Sequence, residues 1–370
     1  MPRTYENLNL ATDLTTTRTL LHESVPITGA ILSGTYGNFK AEQNIKNYTH
    51  GMFQSVYDYP YLSSSANHIL DLTMGYDESS PMSSSTSVQN SKKINMYNEM
   101  AQVLLGYTGS ANNVEIFESD LNFGDNNRQM KEVFFLNFSR LLTKDQIKKG
   151  SFSIQLATGS WSGRTAGTIR YNTTQSMTLS DISASETGGT NNKGNAGEYG
   201  VLWNTTTVGA SGSYGLIFYQ AGIVVLSASI FQDTVGSAHP TFFFNSGSGE
   251  IPNGHAIPID ESLSGSSISG NCDAFRHRLQ SLSFNNTTEI NSTIYFCRVP
   301  HNKFNYSTNP TYCSASQIRV KAKASDSPVS YVTTIGLYNA SNELLATAKL
   351  SEPLKKDPTT ELTLRVRLDY

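Results

Sequence analysis

The chain has 370 residues, a net charge of −3 and only 15% charged residues, against roughly 25% in typical soluble domains. No Lys/Arg run or plainly basic face is present, which argues against nucleic acid as a partner. The most apolar stretch, residues 216–231, is shorter than the roughly 18–20 residues a membrane span needs and is interrupted by Gln220, so it reads as buried strand. Three cysteines, an odd and sparse set, argue against a disulfide framework.

Hydrophobic residues at 38% and aromatics at 10% suffice for real cores. The polar surface must then come from Ser, Thr, Asn and Gly, which suit strands and turns. Four segments are expected. Residues 1–60 are expected to form an irregular N-terminal arm, with a strand over 25–32 and an aromatic, Pro-broken contact loop at Tyr57, Asp58, Tyr59, Pro60 and Tyr61.

Residues 61–150 are expected to be α+β with two short helices. A Ser-rich loop over 83–91 leads into the first. Ile94, Tyr97, Met100, Ala101, Leu104 and Leu105 share a helical face, and Gly106 is placed to end it in the left-handed region. The apolar run 133–138 predicts a strand buried on both faces. Thr143 and Gln146 then spell a capping box for a second helix, with Lys148 and Lys149 in its last turn and Gly150 as its stop.

Residues 151–260 are a Gly/Ser/Thr/Asn-rich β domain. Phe152, Ile154 and Leu156 alternate on one face. Weak strands are expected over 168–171 and 199–203, a flexible loop over 188–197, and one or two central strands over 214–231. A turn-rich connector is expected over 246–254 and a polar loop over 262–270. Residues 261–370 read as a C-terminal antiparallel β-sandwich with strands over 279–284, 293–299, 318–324, 331–338, 344–350 and 362–370. Asn339 to Asn342 supplies a hairpin turn. The fold class expected is therefore mainly β, with a small α+β part near the N-terminus and antiparallel, sandwich-like domains.

Chemistry is sparse. No nucleophile elbow, phosphate loop, dinucleotide fingerprint or zinc-protease helix is spelled. Asp181, Glu186, Asp233 and Glu250 stand in expected loops without a partner at a telling spacing. Only Cys272, His277, Cys297, His301 and Cys313 form a set that zinc could accept, and Cys297 and His301 are its one tight pair. Ordinary core packing is the favoured reading of these five. No catalytic, cofactor-binding or metal-ligating residue is assigned.

Several runs carry a resemblance. Residues 134–150 (FFLNFSRLLTKDQIKKG), 215–226 (GLIFYQAGIVVL) and 304–312 (FNYSTNPTY), with IGLYN at 335–339, AKLSEP at 348–353 and RLDY at 367–370, are similar to stretches of virion structural proteins of marine, T4-like tailed bacteriophages. The resemblance implies a non-enzymatic particle component. It carries over no site residues. Within that family the short helices favour a tail or baseplate part over a head, neck or capsid-surface protein. Expected partners are other tail proteins and copies of the chain itself.

The residues up to Leu10 show no apolar signal core, and the Asn-x-Ser/Thr triplets at Asn172 and Asn291 read as chance. Synthesis in the bacterial host cytoplasm is expected. The competing class is a glycan-binding receptor module or tail-spike hydrolase, suggested by Trp161, Trp203 and several Tyr in polar loops.

Overall fold

The computed structural model describes residues 5–32, 42–84, 89–108, 113–121, 127–158, 176–185, 188–206, 212–231, 243–245, 255–257, 259–307, 311–314, 317–319, 321, 323 and 325–370. Of the described residues 46% are strand and 19% helix, mostly β with large antiparallel sheets and a small helical part. No helix of the described residues is long and apolar enough to cross a membrane. The chain divides into two compact units, residues 21–288 and residues 1–20 with 289–370. The expected segments 61–150 and 151–260 thus share one unit, while 1–60 and 261–370 are each divided between the two.

The larger unit is organised by one antiparallel sheet. Its strand order is Ile45–Asn47, Gln54–Tyr57, His68–Tyr76, Glu132–Phe138, Ile223–Ser227, Ser213–Phe218, Gly197–Asn204, Ser176–Ser180 and Ser153–Ala157, with the start of Leu279–Val299 beyond. The apolar run around Phe134 is continuous because both sheet faces are covered. Phe134, Leu136 and Phe138 enter one core with Leu70, Leu226 and Phe275. Val133 and Phe135 enter a second with Tyr97, Phe117 and Val225. Phe134 stacks on Phe275 with centroids 4.7 Å apart, and Phe135 meets Phe117 edge-on at 5.7 Å. Each such ring buried is worth about 1.5–3 kcal/mol.

Helix Asn90–Leu104 follows its periodicity, burying Tyr97, Ala101 and Leu104. Gly106, at φ +104°, ends it by donating to Ala101 O at 3.1 Å. The helix crosses His68–Tyr76 so closely that only a glycine fits beneath it: a Cβ on Gly75 would stand 2.6 Å from Lys93 O. Residues 214–231 form two strands, Ser213–Phe218 and Ile223–Ser227, and a short 3₁₀ turn.

Several local expectations are corrected. The capping box does not open a helix. A short helix, Arg140–Thr143, ends at Lys144, whose φ is +55°, and Gln146–Ile147 pairs instead with Asn286 and Thr287. Strand pairing outweighs the local cap there, as tertiary context commonly overrides propensity. The expected loop 188–197 is a hairpin of Thr190–Gly194 with Gly197–Asn204, turning at Gly197 with φ +91°.

The expected loop 262–270 belongs to helices Ile259–Gly265 and Ile268–Arg278. Ser267 caps the second by accepting from Gly270 N at 3.1 Å, while Ile268, Cys272 and Phe275 bury one face. Finally, residues 279–284 and 293–299 are parts of a single strand, Leu279–Val299. Of 318–324 only Ile318 lies in a strand among the described residues, paired with Cys313. The expected elements at 168–171 and 246–254 lie outside the described residues.

In the smaller unit, Ser292 to Val299 pair antiparallel with Leu362–Asp369. Ser330–Tyr338 and Leu344–Lys356 make a separate two-stranded hairpin. Its turn is the expected one: Asn339 Oδ1 accepts from Glu343 N at 2.8 Å, and Asn342 adopts φ +61°. Lys356 is buried and anchors the hairpin, its Nζ donating to His301 O, Asn305 Oδ1 and Asp357 O at 3.2, 2.6 and 2.8 Å.

Candidate functional site

The five Cys and His residues are divided between the two units. Cys272 and His277 belong to the unit of residues 21–288, and Cys297, His301 and Cys313 to the other. Cys272 is buried with its thiol 3.5 Å from Leu72 O, and burial pushes its pKa well up, which disfavours the thiolate a metal needs. Cys313 donates to the Tyr306 hydroxyl at 3.2 Å. Among the described residues no group of three or more His, Cys, Asp or Glu is placed to hold a metal ion.

His277 instead joins a buried ionic network. Its Nε2 lies 3.0 Å from Glu42 Oε1 and its Nδ1 2.6 Å from Asp273 O. The fully buried Arg276 donates to Glu42 at 2.6 Å, Asp273 at 2.5 Å, Leu32 O at 2.9 Å and Gln54 Oε1 at 3.2 Å. Four acceptors satisfy one guanidinium, and the network ties helix Ile268–Arg278 to the sheet edge. Its burial makes it a strut rather than a reactive centre.

Asp181, expected in a loop, is fully buried and accepts from Gly150 N at 2.7 Å and Phe152 N at 2.8 Å. It too is committed to structure. Glu186, Asp233, Glu250 and Trp161 lie outside the described residues. Trp203 is half-buried against the second core.

A different cluster lies on the sheet itself. Strand register places Lys46, Ser55, Asp71 and Asn137 side by side across four strands. Their neighbours Ile45, Val56, Leu70 and Phe138 point the other way, into the core. The polar row is half-exposed or exposed apart from buried Ser55.

Hydrogen bonds link the row. Ser55 Oγ donates to Asp71 Oδ1 at 2.5 Å, and His68 Nε2 lies 2.9 Å from the same oxygen. A carboxylate only accepts, so His68 donates from Nε2. With the Ser55 hydrogen committed, the Tyr48 hydroxyl donates to Ser55 Oγ at 3.2 Å.

Rings frame this chain of groups. Tyr48 stacks on His50 at 5.1 Å and leans on Phe53 at 4.8 Å. Tyr57 meets His68 at 5.4 Å and Tyr61 at 6.3 Å. Lys46 Nζ sits 4.8 Å above the Tyr48 ring. Burial first, and then the Tyr48 and Asp71 groups nearby, push the Tyr57 phenol up from its usual pKa, with Lys46 opposing.

Ser, His and Asp here are not a nucleophilic relay. Ser55 and His68 both bond the same Asp71 oxygen, so the imidazole is not positioned as the base of the hydroxyl. The arrangement presents a fixed acceptor, hydroxyls and aromatic faces, which is equipment for binding. Only Tyr57 and Tyr61 were marked by the sequence, through their aromatic, Pro-broken run. Lys46, Ser55, His68 and Asp71 carried no spacing signal, because pairing on adjacent strands unites them.

Compared with protein-family models, curated proteins and solved structures, the chain matches none.

Proposed function

We propose that the chain is a structural component of a tailed-phage virion, in the tail or baseplate, that holds neighbouring subunits through β surfaces. One observation carries this reading. In the unit of residues 1–20 and 289–370, the buried apolar side chains among the described residues are Val299, Ile318 and Val366 alone. A domain of about 100 residues that folds alone buries well over half of its unfolded surface. This unit instead leaves Tyr331, Tyr338, Leu344, Leu345 and Tyr370 exposed.

Among the described residues its hairpin Ser330–Tyr338 with Leu344–Lys356 pairs with no third strand, and isolated two-stranded hairpins are marginal in water. A neighbouring subunit would complete such a surface. Permanent interfaces favour aromatics and deplete Lys and Glu, in keeping with the low charge of the whole chain. Free sheet edges also pair readily with other chains. The resemblance of the runs around Phe134, Gly215 and Phe304 to phage virion proteins points the same way, and the reading involves no reaction.

Light scattering and labelling of intact particles test it. The expected outcome is an oligomer, or tight association with tail proteins, that the double substitution Leu344→Asp with Leu345→Asp weakens while circular dichroism stays unchanged. A well-behaved monomer with no affinity for tail extracts, and absent from mature particles, would overturn the reading.

A further inference from the structure

We propose that the half-exposed face carrying Lys46, Tyr48, Tyr57, His68 and Asp71, with Ser55 buried beneath it, is a binding site for a neutral oligosaccharide. This site is separate from the assembly role argued above. It lies wholly within the unit of residues 21–288 and uses none of the exposed residues of the smaller unit.

Three features argue for a sugar. First, the polar groups are already fixed. Asp71 Oδ1 is held by Ser55 at 2.5 Å and His68 at 2.9 Å, so the carboxylate is oriented before any ligand arrives. A pre-ordered acceptor spares the entropy of arranging it on binding. Sugar hydroxyls are donors that such a carboxylate accepts, and the Tyr57 hydroxyl can serve a sugar's oxygens in return.

Second, rings stand beside these groups. Tyr61 is 37% exposed and leans on Tyr57. Rings of this kind offer flat apolar faces and a polar tip, which suits the alternating C–H and hydroxyl surface of a pyranose. Third, the charges balance. Lys46 and Asp71 stand on one face, with the cation drawn over Tyr48, so the site repels neither sign strongly and selects for neither. A neutral ligand fits better than a uronate or a phosphosugar. The polar row across the four strands is Lys, Ser, Asp and Asn, with no Leu, Ile or Val, whereas the centre of a protein interface is apolar and poor in charge.

The probe is a printed array of neutral, amino and acidic bacterial surface oligosaccharides, applied to the full-length protein in its native oligomeric state. Calorimetry then follows with the best neutral binder. Binding to neutral glycans is expected. Asp71→Asn and Tyr61→Ala should each weaken it at least tenfold, with unchanged circular dichroism and particle association. Tyr61 is exposed, so its variant tests the site without risk to the fold.

A blank array with folded protein would overturn the proposal. So would binding that survives both substitutions, or binding confined to acidic glycans. Solvent protection of Tyr57 and Tyr61 by a neighbouring subunit in the assembled particle would also overturn it, by assigning the face to protein contact.

Discussion

The Tyr219 hydroxyl donates to Asp181 Oδ2 across 3.0 Å, and both side chains are fully buried in the larger unit. The same carboxylate receives the backbone N–H groups of Gly150, at the φ +73° turn, and of Phe152. One side chain thereby holds the start of strand Ser153–Ala157 against Ser213–Phe218. Removing it strands the buried Phe152 N–H and Tyr219 hydroxyl, each costing about 1–3 kcal/mol when unpaired, while exposed Gly150 can turn to water. Asp181→Ala should therefore lower stability in urea unfolding by about 2 kcal/mol or more, and Tyr219→Phe by about 1 kcal/mol. Equal midpoints for all three proteins would refute this account of the strand's anchoring.

The approach of helix Asn90–Leu104 to the sheet rests on Gly75. A methyl group there would meet Lys93 O at 2.6 Å and Tyr97 N at 2.8 Å, both backbone atoms that cannot rotate away. Gly75→Ala should cost about 1–3 kcal/mol by overpacking. A calorimetric Tm within a degree of the wild type would show that the helix is free to shift.

Acid should loosen the network around Arg276. Burial on its own raises the Glu42 pKa, but Arg276 and His277 outweigh it and hold the carboxyl below its ordinary 4.5. A lowered folded-state pKa stabilises the fold above about pH 4.5, and that contribution is lost as the pH falls through the folded value. The stability gap between wild type and Glu42→Gln should be widest near neutral pH and narrow below pH 4.5. A gap that stays constant down to pH 3 would contradict the ion pair's role.

Alkali acts in the opposite direction on Lys93. Its Nζ is buried and donates to Leu263 O at 2.6 Å and Ser266 O at 2.7 Å, at the end of helix Ile259–Gly265. Burial lowers its pKa from 10.5 to about 8. Between those values the unfolded chain binds more protons, so this residue's contribution to stability rises with pH. Relative to Lys93→Met, the wild type should gain stability from pH 8 toward pH 10. Parallel pH profiles for the two proteins would rule out the shift.

Local order carried much of the fold. Tyr97, Ala101 and Leu104 at helical spacing, the alternation of Phe152, Ile154 and Leu156, and Asn339 at its turn each specify an element through contacts a few residues apart. Those signals read correctly because burial periodicity and turn chemistry are properties of the chain itself. Helix Ile268–Arg278 was illegible for a physical reason. Its first turns contain Ser269, Gly270 and Asn271, which read as loop, yet Asn271 is buried and satisfied by Ser262 O at 3.1 Å and Ser267 O at 3.0 Å. The Ser262 partner is in reach only once helix Ile259–Gly265 is in place.

The site divides in the same way. The aromatic run from Tyr57 to Tyr61 was visible as a contact loop, whereas its polar partners were not. Lys46, Ser55 and Asp71 become neighbours through antiparallel register, and a one-residue slip would turn each to the opposite face. The amino-acid order alone thus determined which segments are apolar, where they turn, and that charge is scarce. Which polar groups meet was decided by sheet pairing, because register over long sequence separations is set by the packing of the whole core and not by any local window.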